Sequence, residues 1–194
     1  MWPARAAIHP VPGHAVVPRE AIDMLESQLG GASDIERHID RAYGVFDARQ
    51  PALSSFLCNE IDELDDDVAQ ALGHFLGVAV HEIFQDTFGR RLQPIELPAV
   101  ELARSTFEVD EELRRNQPGE PLESDDVVAI SQPHVMAFVR EQLDAVLEPD
   151  DDEDGESAID LEAIGKVYRA ILVEIVALSY AVEAPDGGRR KYLA

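Results

Sequence analysis

The segment that starts at Gln50-Pro51 returns at Gln132-Pro133, and a chain that repeats an amphipathic pattern is constrained to build the same local structure twice. A shift of 82 positions carries Leu53, Phe56, Leu57, Ile61 and Leu64 onto Val135, Phe138, Val139, Leu143 and Val146. The spacing i, i+3, i+4, i+8, i+11 marks one face of an α-helix, and proline suits a first helical position, where no amide hydrogen is required. Farther on, a shift of 92 carries Leu72, Phe75, Leu76, Ala79, Val80, Ile83 and Phe84 onto Ile164, Val167, Tyr168, Ile171, Leu172, Ile175 and Val176, with Gly73 on Gly165 and Glu82 on Glu174. The shift grows by ten residues, the length of the acidic stretch Glu148 to Ser157, so a single loop insertion accounts for it.

Two helical hairpins with wide apolar faces bury those faces best against each other. The expected fold is therefore all-α: a duplicated helical hairpin forming a pseudo-twofold helix bundle of six or seven helices, with extra N-terminal and intervening helices. Composition agrees, because only 6% of residues are aromatic and the apolar content is largely Ala, Val, Leu and Ile. The expected divisions are an irregular N-terminal arm over 1–18, a single all-α domain over 19–183 containing repeats 50–89 and 132–182, and a flexible tail over 184–194. Extra helices are expected over Arg19 to Leu29, from Ile35 to Gln50-Pro51 with Ser33 or Asp34 as cap, and over Ala99 to Arg115. Asn116 to Asp126 reads as a surface loop, followed by a short apolar run, Val127 to Ile130.

A formal net charge of -23 excludes nucleic-acid backbones and anionic membranes as partners, since both demand clustered Lys and Arg, and leaves basic partners electrostatically allowed. The single cysteine, Cys58, permits no intramolecular disulfide and no cysteine-based zinc site. The start of the chain lacks the continuous apolar core of a signal peptide, and no run reaches membrane length, so the expected location is cytoplasmic.

Candidate chemistry is confined to a few carboxylates and histidines. Asp150, Asp152 and Asp154 followed by Gly155 resemble the opening of an EF-hand calcium loop, although Leu161 stands where the bidentate glutamate belongs. Glu82 and Glu174, related by the repeat, are candidates for a shared proton or divalent ion. His74 and His81 share one helical face but stand about 10 Å apart along the axis at 1.5 Å per residue, too far for one ion. His81 with Glu82 remains a metal candidate if another helix supplies ligands. Gly73, Gly77 and Gly165 suggest close helix packing, and the duplicated Gln-Pro suggests helix starts with glutamine in the cap region.

No phosphate-binding glycine loop or nucleophile elbow is present, so no catalytic residue is assigned. The expected function is that of a non-catalytic acidic protein-binding or scaffold module, using an acidic face or a groove between hairpins to engage a protein partner, a basic one by charge. The alternative is a divalent-metal-binding bundle, with calcium at the acidic loop or a transition metal at the Glu and His positions. Otherwise no cofactor is expected. A homo-oligomer is compatible with the repeat but not required by it.

Overall fold

The computed structural model describes residues 11–31, 35–116, 124–147 and 160–185. Among them the chain is all-α, with eight α-helices, two short 3-10 turns and no strand. The helices are α1 (Arg19–Gly31), α2 (Ile35–Arg49), α3 (Pro51–Asp62), α4 (Asp67–Phe88), α5 (Leu97–Asn116), α6 (Ser124–Ser131), α7 (Pro133–Leu147) and α8 (Leu161–Ala181). Eight replace the expected six or seven. The segment read as a loop and a short apolar run contains α6, whose Val127 and Val128 are buried. Two aspartates in its first turn, Asp125 and Asp126, favour a helix start there as much as they suit a loop.

Local signals account for most boundaries. Pro51 and Pro133 each open a helix at the position that needs no amide donor. Asp66 caps α4 by accepting from Ala69 N at 2.9 Å, and α4 stops at Gly89, whose φ of 54° is costly for a residue with a Cβ. Asp160 caps α8 through Glu162 N at 2.8 Å. The proposed caps of α2, Ser33 and Asp34, lie outside the described residues.

The two longest helices form the centre. α4 and α8 make the most extensive interhelical contact and run side by side in the same direction. At their N-terminal ends, Asp66 Oδ2 accepts from Asp160 N at 2.9 Å. At their C-terminal ends, residues 91–93 and 181–183 form a β-bridge, with Gln93 N to Ala181 O at 3.0 Å and Glu183 N to Arg91 O at 2.8 Å. Around this pair, α1 packs on α4 and α7, while α5 packs on α8 and α3. α4 is polar on one side only, and α8 is buried along almost its whole length, as a central helix with apolar residues on every face must be.

The glycines divide into two kinds. A Cβ on Gly73 would lie 2.9 Å from Ile61 Cδ1, and one on Gly77 would lie 3.0 Å from Leu57 Cδ1, so both let α4 approach α3 closely. Gly165 faces open space, with nothing within 4 Å of such a Cβ, so close packing does not explain it.

Pro12 and Pro18 flank a short, mostly irregular segment that nonetheless enters the core. Within residues 11–18, Ala15 and Val17 are fully buried, and His14 Nε2 lies 3.0 Å from Val182 O. Of the segment read as a tail, residues 186–194 lie outside the described residues.

Candidate functional site

The duplicated glutamines are buried structural clamps. Gln132 Oε1 accepts from Val17 N at 2.9 Å, and its Nε2 donates to Ala15 O at 2.7 Å and to Ser179 Oγ at 2.9 Å. Gln50 does the same elsewhere, with Oε1 accepting from Ile95 N at 2.8 Å and Nε2 donating to Gln93 O at 3.0 Å. Each amide thus satisfies the donor and acceptor of an extended segment that has no sheet to pair with. Neither side chain caps its helix or faces solvent.

The candidate carboxylates and histidines have different surroundings. Glu174 is fully buried on α8, both its oxygens lack a hydrogen-bond partner, and burial raises its pKa well above the carboxylate range. The site therefore favours the protonated carboxyl, because an ion without partners is far costlier to bury than a neutral acid. It fits beside Gly77, where a Cβ would lie 3.7 Å from Glu174 Oε2. Its repeat mate Glu82 sits near the surface and meets His38 Nε2 at 3.1 Å. His81 is buried and stacked on Phe46, with ring centroids 4.6 Å apart, and Nε2 has no partner. Burial, and secondarily the positive charge of Arg49, lowers the His81 pKa to about 4, so the ring is neutral. Among the described residues no three His, Cys, Asp or Glu side chains gather where a metal ion would fit. Asp150, Asp152 and Asp154 lie outside the described residues. Cys58 is half-buried, with Sγ 3.2 Å from the Tyr43 hydroxyl.

A separate concavity lies between α5 and α8. These helices are antiparallel: Gln93, before α5, bonds to Ala181 at the end of α8, and Phe107 lies beside Arg169 and Val173. Between them is an open, mostly apolar groove of about 630 Å³, with Ile95, Ala99, Leu102, Ala103, Val176 and Ala177 among its walls. Glu96, Thr106 and Tyr180 add polar edges. Leu102 is 67% exposed on the groove wall, and Val109, also exposed, lies two turns farther along the same face of α5.

No protein-family model matches the sequence, and no curated protein or solved structure is significantly similar to it.

The groove's chemistry suits binding. Its volume lies in the range of about 300–1,000 Å³ typical of ligand sites, and its walls are apolar with a few polar groups at the edge. Beside the buried Val100, Ala103 and Phe107, α5 carries a second stripe. Ala99, Leu102, Thr106 and Val109 follow i, i+3, i+7, i+10, and this stripe is the signal that would have located the groove. No helix among the described residues is long and apolar enough to cross a membrane.

Proposed function

We propose that this chain is a non-catalytic, acidic helical module that binds a protein partner in the α5–α8 groove, the partner being basic. The observation that carries this reading is the open apolar groove itself, lined by Leu102 and Ala103 on a chain of net charge -23. An exposed apolar trough supplies affinity, and a strong negative field draws in cationic partners while repelling nucleic acid and anionic membrane. The proposed location is the cytoplasm. Self-association is not required.

The proposal includes an internal duplication larger than the hairpin, pairing α1 to α4 with α5 to α8 about an axis along the central helices. Two sets of bonds support it: the parallel seating of α4 and α8, tied at both ends, and the matching clamps of Gln50 and Gln132 on segments 93–95 and 15–17. Each clamp reaches from one half to the other, as it would in a dimer whose subunits had been fused.

The test is affinity capture from native extract at moderate salt with wild-type protein and with Ala103→Leu, which fills the groove. The expected result is a protein retained by the wild type and lost from the variant. Identical recoveries from the two would count against the groove. The divalent-ion alternative, at Glu82, Glu174 and His81 or at Asp150, Asp152 and Asp154, is checked separately by elemental analysis of protein purified without added metal. Stoichiometric metal would revive it.

A further inference from the structure

Under the proposed duplication, the α5–α8 junction has less side-chain volume than the α1–α4 junction that corresponds to it. The clamped segments set the correspondence: Val17 N and Ile95 N, like Ala15 O and Gln93 O, are 78 positions apart. That shift takes Leu25 of α1 to Ala103 of α5, and Met24 to Leu102. On the central helices the shift of 92 takes Phe84 to Val176 and Phe88 to Tyr180. Leu25, Phe84 and Phe88 are all buried, so the α1–α4 junction is filled from within. Their counterparts include Ala103 and Val176, both smaller, and the space they leave opens to solvent as the groove.

We propose that the occupant of this groove is a basic amphipathic helix of the partner protein, which seats two bulky apolar side chains one turn apart over Ala103 and against Val176. This rests on the protein-binding reading above and names the partner's chemistry. Missing Leu- and Phe-sized volume calls for side chains of that size. Two walls are α-helices whose backbones are already hydrogen-bonded, and in the extended segment that completes the lining Gln93 N, Gln93 O and Ile95 N are taken by Ala181 and Gln50 while Pro94 has no N–H, so an extended peptide would find little edge to pair with, whereas a helix satisfies its own backbone. Along α5 from Ala99 to Thr106 the trough runs about 10 Å at 1.5 Å per residue, enough for roughly two turns of a second helix. Glu96 at the groove and the net charge of -23 make the outward face of that helix cationic.

The test uses the full chain and a fluorescein-labelled synthetic helix of about 18 residues, long enough for roughly five turns, with Leu at i, i+4 and i+7 and Lys or Arg between. Fluorescence anisotropy should show binding that weakens with added salt. Affinity should fall by about tenfold or more, as at an interface anchor, when the leucines become alanine, when the basic residues become glutamate, or when the protein carries Ala103→Leu. Leu102→Asp, at an exposed position, is the second variant and should weaken binding while leaving the melting temperature unchanged. If the peptide does not bind but extract proteins are captured in an Ala103-dependent way, the helix is overturned and the protein-binding reading stands. If neither binds, both fall. Dimerisation of the wild type that Ala103→Leu abolishes in sedimentation would make the occupant a second copy, and displacement of the peptide by laurate at equal affinity would make it an apolar small molecule. Either result overturns the proposal.

Discussion

A carboxyl group that is buried without a partner and an imidazole that is buried with its Nε2 unpaired pull stability in opposite directions as pH changes. Burial holds the Glu174 pKa in the folded chain above its unfolded value, so its contribution is full at low pH and declines as pH rises above about 4.5. His81 works the other way. Its folded pKa of about 4 lies below the ordinary 6.5, so stability is lost as pH falls through that interval, by roughly 3 kcal/mol at 1.36 kcal/mol per unit. Glu174→Gln should therefore gain on the wild type as pH rises above about 4.5, and His81→Phe should gain on it progressively from pH 6.5 to 4. Urea unfolding across pH checks both, and parallel pH profiles for variant and wild type would remove the assigned cause. The two glycines that sequence alone treats alike should also separate. Gly73→Ala meets Ile61 at 2.9 Å and should destabilise by about 1–3 kcal/mol through overpacking. Gly165→Ala meets nothing and should stabilise by roughly 1 kcal/mol through helix propensity. Equal effects in thermal melts would contradict the packing described.

At the scale of elements, the bundle depends on clamps as well as on apolar faces. Removing the Gln132 side chain leaves Val17 N and Ala15 O buried without partners, at about 1–3 kcal/mol for each group. Gln132→Ala should lower unfolding stability by roughly 2–4 kcal/mol after partial relaxation, whereas substituting an exposed residue such as Leu161 should change it by less than about 0.5 kcal/mol. Helices were legible where local chemistry announces them: proline at the first turn of α3 and α7, aspartate caps on α4 and α8, glycine at the end of α4. What escaped depends on long-range partners. Nothing near Gln132 in sequence indicates that residues 115 to 117 positions earlier will occupy its amide. The groove escaped for the same reason: an alanine on an amphipathic helix reads as ordinary filling until the opposite wall, Val176 and Ala177, is known to be small as well. Glu174 was visible as a carboxylate beside an apolar stripe, but only the seating of α8 against α4 buries it completely.

For the whole molecule, a net charge of -23 opposes compaction and confers no fold, so its use must lie in solubility or in a partner. In the proposed reading the groove is where that charge acts, with apolar contact holding what the field attracts. Leu102 and Met24 occupy corresponding exposed positions, the first beside the open groove and the second beside the filled α1–α4 junction. The decisive measurement is photo-crosslinking in native extract with p-benzoylphenylalanine placed at Leu102 or at Met24, across a range of salt. The account predicts a discrete adduct with a basic protein from position 102, fading as salt rises and absent from position 24. Adducts of equal intensity from both positions, or none from either, would contradict it.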